Sequence, residues 1–253
     1  MTNGIDISII IPAYNEAKRL PPFLSRVIAF CKNSQKRYEI IIVDDGSNDG
    51  TYETAASFKP QFVDLVLIRI PDNSGKGYAV KTGFLRARGD VAVFLDADGS
   101  VEPDEIEKNL HYLAGGGYDI FVGSRVLRGE FQILEIRWYR KIPGAFFRFL
   151  VRTLLFKNIQ DTQCGFKMFR KEVVNPIFSR NCLKGFGFDF EILFIANKLG
   201  YKIKEGAVSW KHIPKSKVNM LIDPFKTCID ILKVRTLHQA VCNQQTQKDY
   251  LKD

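Results

Sequence analysis

The sequence predicts a doubly wound α/β fold, a mostly parallel sheet flanked by helices with a helical elaboration toward the C-terminal end. Three observations predict it. Through residues 1–124, short apolar runs rich in β-branched residues alternate with longer helical patterns, as in a parallel sheet with crossover helices. Three of those runs end in clusters bearing carboxylates, the character of the crevice edge of an open sheet. Beyond residue 125 the alternation stops and helical patterns dominate.

The elements follow in order. A strand at 7–11 is apolar on both faces and runs into Pro12-Ala13-Tyr14-Asn15-Glu16. A helix follows near 17–33. The strand at 39–43 ends in Asp44-Asp45-Gly46-Ser47, and Asp49-Gly50-Thr51 opens a helix near 50–58 with Asp49 as its cap. A strand at 64–70 leads through Asn73-Ser74-Gly75-Lys76-Gly77 to a helix near 76–87. The strand at 91–95 runs straight into Asp96-Ala97-Asp98-Gly99, and a helix near 102–114 and a strand at 119–122 precede Gly123-Ser124-Arg125. Right-handed crossovers bring the ends of strands 7–11, 39–43 and 91–95 to one edge. The second half reads as a helix at 143–156 with Pro143 near its first turn, a glycine-containing segment at 161–169, helices near 171–179 and 187–199, short strands near 202–210 and a helix near 222–241. No linker or internal repeat stands out, so one domain is expected over residues 1–253.

With 253 residues, 45% hydrophobic and 26% charged, the chain has the composition of a soluble globular protein with a sizeable core. Its net charge of +9 is unevenly spread. Residues 1–124 carry 13 basic and 17 acidic side chains, hence −4; residues 125–253 carry 24 and 11, hence +13. The basic half suits an anionic lipid surface or phosphorylated ligands. Nucleic acid is not expected as a partner, because that half has no recognition motif and no alternation of aromatic and basic residues. The five cysteines are scattered, with no CxxC pair, which argues for a reducing compartment and against structural zinc or a disulfide framework. No signal-type apolar segment and no run of about 18 apolar residues is present. The expectation is a cytoplasmic protein that lies on the cytoplasmic face of a membrane.

Asp96 and Asp98 carry the strongest chemical signal. Side chains two apart on an extended segment point the same way, so both carboxylates reach one cation. Hard oxygens suit Mg²⁺ or Mn²⁺, which bridge to diphosphates; the competing reading is a plain strand-end turn. Asp44 and Asp45 fit either a turn or the N–H and hydroxyl groups of a nucleoside. The amides of the 73–77 loop, together with Lys76, fit a phosphate or a simple connection; the spacing matches neither a Rossmann fingerprint nor a P-loop. Arg125, Arg128, Arg137 and Arg140 suit phosphate through their planar forks, or form a solvated basic face. Phe146 through Phe156 is apolar on most sides with Arg148 and Arg152 four apart, fitting a core helix or an interfacial amphipathic helix. Asp161, Asp189 and Glu191 require partners or a function if buried. Cys164 reads as a small buried residue, and His111 and His238 as helix-surface residues.

Assembled, these strings resemble the family-2 inverting glycosyltransferases with a GT-A fold, and within them the dolichyl-phosphate glucosyltransferases more than the mannose synthases. The resemblance rests on IIIPAYNE (9–16), IIVDDGSNDGT (41–51), NSGKGYAV (73–80), DADG (96–99), GSR (123–125), DTQCGFKMF (161–169), FGFDFEILFIA (186–196) and the Ser-Lys pair at 216–217. It implies that Pro12, Tyr14, Glu16, Asp44 and Asp45 hold the nucleoside and that Lys76 lies near the donor. Asp96 and Asp98 would bind Mg²⁺ or Mn²⁺ and the sugar diphosphate, with Lys217 clamping it. Arg125 and Arg140 would hold an acceptor phosphate, and Asp161, Asp189 and Glu191 would shape the acceptor and sugar pocket. It further implies transfer of a hexose from a nucleotide sugar, UDP-glucose first, to a polyprenyl phosphate of dolichyl type. The N-terminal membrane helix of eukaryotic glucosyltransferases and the C-terminal spans of many mannose synthases find no counterpart here, so membrane docking is expected from the 143–156 and 222–241 helices. The rival readings are a GDP-mannose-dependent mannosyltransferase, a transferase with a soluble saccharide acceptor, for which Asp161 or Asp189 would serve as general base, and a non-catalytic nucleotide-sugar-binding module.

Overall fold

The computed structural model describes residues 4–127, 159–211, 213 and 223–238. Its centre is a seven-stranded sheet in the order β3-β2-β1-β4-β6-β5-β7. The strands are β1 (Ile7–Ala13), β2 (Tyr38–Asp45), β3 (Leu65–Ile70), β4 (Val91–Leu95), β5 (Ile120–Ser124), β6 (Phe166–Arg170) and β7 (Ile203–Ala207). Helices α1 (Leu20–Asn33), α2 (Thr51–Ala56), α3 (Lys76–Phe84), α4 (Glu105–Ala114), α5 (Lys171–Phe178), α6 (Phe188–Lys198) and α7 (Asp223–Leu237) connect and cover it. β1 lies parallel to β2 and β4, β2 to β3, and β5 to β7. This is the mostly parallel sheet of the GT-A fold that the sequence predicts.

The central strands β1, β2 and β4 are apolar for most of their length because both faces are covered. Ile9, Ile11, Ile40 and Ile42 pack with Leu24 and Val27 of α1 and Ile106 and Leu113 of α4. Ile10, Phe94 and Phe169 point the other way, into a core with Phe84 of α3, Phe178 of α5 and Leu193 of α6. There Phe84 stacks on Phe178 with centroids 4.0 Å apart and meets Phe169 edge-on at 5.1 Å. Each fully buried phenylalanine contributes about 1.5–3 kcal/mol of apolar burial. Helix α1 starts at Leu20, later than the pattern suggests, because Pro21 and Pro22 occupy its first turn, where their missing N–H and fixed φ are harmless.

One element differs in kind from the sequence expectation. The segment at 161–169 ends in a strand, β6, which sits inside the sheet antiparallel to both β4 and β5. Leu95 pairs with Phe166, and the Asp96 N–H donates to the Gly165 carbonyl at 3.2 Å. The chain before β6 is thereby delivered beside the end of β4. Lys167 hides this strand in the sequence, since it places a charge in an otherwise apolar run yet is fully buried. The helix expected at 143–156, together with Arg140 and Lys217, lies outside the described residues. Among the described residues no helix is long and apolar enough to cross a membrane.

Candidate active site

The carboxyl ends of β1, β2 and β4 meet at one edge, as the crossovers require. The turns after β1 and β2 are stitched together: Asn15 N–H donates to Ser47 Oγ at 2.8 Å, and Asn48 N–H to Asn15 Oδ1 at 3.0 Å. Asn15 takes a left-handed φ of 51°, which asparagine tolerates. Gly50, not Asp49, is the N-cap of α2; Asp49 braces the turn before it, accepting from Thr51 N–H at 3.1 Å, and its other oxygen accepts from Ala17 N–H at 3.1 Å. Pro12 is buried within β1, whereas Tyr14 is 37% exposed at its end. Glu16 accepts from Arg19 Nε at 2.6 Å. That bond raises the Arg19 pKa against the opposing effect of burial, with smaller help from Asp98 and Asp96.

The adjacent aspartates of β2 part company. Asp45 accepts from Ser74 N–H at 2.9 Å and from Gly75 N–H at 2.8 Å, one through each oxygen. It anchors the 73–77 loop through both oxygens. Asp44 is 1% exposed; its Oδ1 accepts from Ser47 N–H at 3.3 Å. Among the described residues Asp44 Oδ2 takes no hydrogen bond, and Arg69 Nε stands 3.6 Å from it. A buried carboxylate oxygen left short of donors is a place for a ligand hydroxyl or N–H.

The 73–77 loop is not an amide nest for phosphate. Asp45 takes the Ser74 and Gly75 amides, and the Lys184 carbonyl takes the Gly77 amide at 2.7 Å and the Tyr78 amide at 3.3 Å. What the loop offers is Lys76. Its Nζ lies 2.7 Å from Asp96 Oδ1 and over the Phe94, Phe186 and Phe188 rings at 5.1 to 5.9 Å. Burial alone would lower the Lys76 pKa, but Asp96, Asp189 and Asp98 together leave it raised.

Asp96 and Asp98 stand where the sequence places them, directly after β4. Asp98 Oδ1 accepts from Ser100 N–H at 2.9 Å and Ser100 Oγ at 2.6 Å, so those bonds engage one of its oxygens. On the other side of Asp96, a Cβ at position 165 would stand 1.9 Å from Asp96 Oδ2. Only glycine leaves that space to the Asp96 carboxylate, which itself fills it. The two hard carboxylates of Asp96 and Asp98 are of the donor type that suits Mg²⁺ or Mn²⁺.

Arg125 and Asp161 form a two-pronged ion pair, Nε to Oδ2 at 2.7 Å and Nη2 to Oδ1 at 2.8 Å. Glu205 of β7 fixes the Asp161 backbone, accepting its N–H at 2.9 Å. Burial would raise the Asp161 carboxyl, yet Arg125 outweighs it and holds the group below its ordinary value. Burial would likewise lower Arg125, and Asp161 first, then Cys164 and Asp96, leave it raised. Asp189 pairs with the buried Lys167, whose Nζ also donates to the Cys164 carbonyl at 2.8 Å. Burial pushes Asp189 up although Lys167 and Lys76 pull it down. Cys164 is buried as expected, and burial pushes its thiol up to about 12.

Two expectations fail. Glu191 does not line the pocket: it is fully buried and accepts from the Asn181 side chain, Cys182 N–H at 3.0 Å, Leu183 N–H at 2.7 Å and His238 Nε2 at 2.8 Å. His238 is accordingly no surface residue; it is 3% exposed, while His111 is exposed as expected. Sequence reasoning missed Gly165, Lys167, Arg19 and Glu205. The lone lysine in Phe166-Lys167-Met168-Phe169 is the signal that marked a buried pair; nothing local marked the other three.

Residues 8–178 match Glycosyl transferase family 2. The chain is 38% identical to the dolichyl-phosphate beta-glucosyltransferase of Dictyostelium discoideum, covering 92% of this chain and 75% of that protein. It is 36% identical to the dolichyl-phosphate beta-glucosyltransferase of Homo sapiens, covering 96% and 79%. Among solved structures it resembles glucosyl-3-phosphoglycerate synthase from Mycobacterium tuberculosis in complex with Mn²⁺, UDP-glucose and phosphoglyceric acid. The TM-score is 0.66 at 17% identity, over 91% of this chain and 80% of that one. A carboxylate pair at the end of β4, a lysine reaching it from α3 and a sheet of this topology thus coincide with identity along nearly the whole sequence, and the chain belongs to glycosyl transferase family 2.

Proposed function

We propose that this chain transfers glucose from UDP-glucose to dolichyl phosphate with inversion, dependent on Mg²⁺ or Mn²⁺, at a membrane surface. The observation that carries the reading is Lys76 held on Asp96 beside Asp98 at the crevice edge. The names of the relatives support the sugar and the lipid. Asp44, with a buried oxygen short of donors, binds the nucleoside with Tyr14. Asp96 and Asp98 would hold a divalent cation, which would supply charge neutralisation for the departing diphosphate. Lys76 contributes a second positive charge there, already oriented and partly dry, so little reorganisation accompanies the reaction. Arg125, aimed by Asp161, receives the acceptor phosphate, and Trp210, whose ring lies 5.7 Å from its guanidinium, backs it. A phosphate oxygen of the acceptor attacks the anomeric carbon; the bond to the diphosphate breaks on the opposite face, and UDP leaves with the electron pair.

The acids argue for a phosphate acceptor over a hydroxyl. A hydroxyl nucleophile needs a general base. Asp161 is tied to Arg125 through both oxygens and held below its ordinary pKa, so it is not poised to take a proton; Asp189, which burial raises, is held in a buried pair with Lys167. A phosphate is already anionic near neutral pH and needs none.

The test is a lipid-extraction assay of the whole chain with dolichyl phosphate, Mn²⁺ or Mg²⁺, and labelled UDP-glucose or GDP-mannose in parallel, with chelator controls and Asp98→Asn. Label in the organic phase from UDP-glucose, abolished by chelator and by Asp98→Asn, is expected. Label from GDP-mannose alone, or full activity in Asp98→Asn, would overturn the donor or the metal assignment respectively.

A further inference from the structure

The strongest hydrogen-bonded knot outside the aspartate cluster surrounds Glu191. Its carboxylate takes three donors from the 181–183 segment: the Asn181 amide side chain, the Cys182 N–H and the Leu183 N–H. The fourth donor is His238, just past α7. Cys182, Glu191 and His238 place ligand-type atoms within 4.8 Å of one another. The four N–H donors already fill the carboxylate's acceptor positions, which makes it an anchor for the segment and not a cation ligand.

The next residue in that segment, Lys184, uses its carbonyl to cap α3, accepting from Gly77 N–H at 2.7 Å and Tyr78 N–H at 3.3 Å. The Gly77 amide is one that the helix itself does not satisfy, whereas the Tyr78 N–H is shared with the nearer Gly75 carbonyl at 2.9 Å. The fit is close, because a Cβ on Gly77 would stand 2.5 Å from the Leu183 carbonyl. Lys81 of α3 reaches back to the Asn181 carbonyl at 2.7 Å. Lys76 is the first residue of α3, so whatever fixes this cap fixes the direction of Lys76.

We propose that Glu191 is a positioning residue: by clamping residues 181–183 it seats the Lys184 carbonyl on α3 and thereby aims Lys76 at the diphosphate site, with α7 completing the clamp through His238. This deepens the reading of Lys76 given above and rests on it for its catalytic consequence. Glu191→Gln replaces two acceptor positions with donors opposite donors and leaves the shape unchanged.

Two readouts test it. Hydrogen exchange followed by peptide mass spectrometry should show faster exchange at Gly77 in Glu191→Gln, as well as at Cys182 and Leu183, with Tyr78 less affected because the Gly75 carbonyl still accepts its N–H. With UDP-glucose and dolichyl phosphate, kcat should fall about 10-fold, as for other outer partners of a reactive group, while KM for the lipid phosphate stays unchanged. Leu113→Ala, a core truncation on the opposite face of the sheet, controls for lost stability. Should Glu191→Gln not fold, Gly77→Ala breaks the same cap from the other side and should give the same pair of effects. Unchanged exchange at Gly77, or a kcat loss no larger than that of Leu113→Ala, overturns the proposal. If the wild type transfers nothing from UDP-glucose, the functional reading fails, and the exchange experiment still decides whether Glu191 governs α3.

Discussion

Replacing Gly165 by alanine tests the geometry of the aspartate cluster with a single methyl group. The backbone at 165 is outside the left-handed region, so alanine suits it, and the nearest obstacle is Asp96. The new Cβ would lie 1.9 Å from Oδ2, 2.4 Å from Cγ and 3.1 Å from the Asp96 Cβ. Asp96 must retreat about 1.5 Å to restore ordinary contact. Its side chain is 29% exposed and free to swing, so the penalty in stability is small, about 1 kcal/mol or a few degrees in Tm. The same movement breaks the 2.7 Å contact with Lys76 and displaces one of the two carboxylates. A misplacement of about 1 Å at a reacting centre costs on the order of 100-fold in rate. Initial rates with UDP-glucose and Mn²⁺ beside thermal melts should therefore show a loss of about 100-fold with a nearly unchanged Tm. Retention of activity within about threefold would refute the placement of Asp96 at the reacting centre.

Two further outcomes follow from the buried charges. Lys167→Met strands Asp189 without its partner and should cost about 3–5 kcal/mol by urea denaturation, whereas Lys167→Met with Asp189→Leu should recover most of that; additive single effects would count against the pair. Because Arg125 holds the Asp161 carboxyl below its ordinary value of 3.8, its stabilisation is complete above that pH and disappears as pH falls through the lower folded value. The stability gap between wild type and Asp161→Asn should thus be level from about pH 8 to pH 5 and shrink on acidification toward about pH 3. A gap that stays constant would show that Asp161 gains nothing from its charge.

β1, β2 and β4 were legible because they are covered on both faces and are therefore apolar for most of their length, and because each ends in polar residues where the sheet opens. Asp96, Asp98 and Lys76 were legible for the same reason: short-range spacing fixes which way they point. The strand β6 was not, since Lys167 breaks its pattern and a partner 22 positions away, Asp189, makes the charge tolerable. Glu191 and His238 illustrate the converse. Both have the composition of surface or pocket residues, and only the packing of α7 against α6 buries them on each other.

The sequence by itself determined the α/β architecture, the crevice edge and the carboxylate pair, because periodicity and strand-end chemistry act over a few residues. Only the tertiary structure decided how neighbouring acids divide their work: Asp44 keeps a buried oxygen short of donors while Asp45 ties down a loop, and Asp161 and Asp189 pair with cations while Glu191 clamps the segment that caps α3. The physical reason is that a carboxylate's role is set by the donors that surround it after folding, and those donors come from residues distant in the chain.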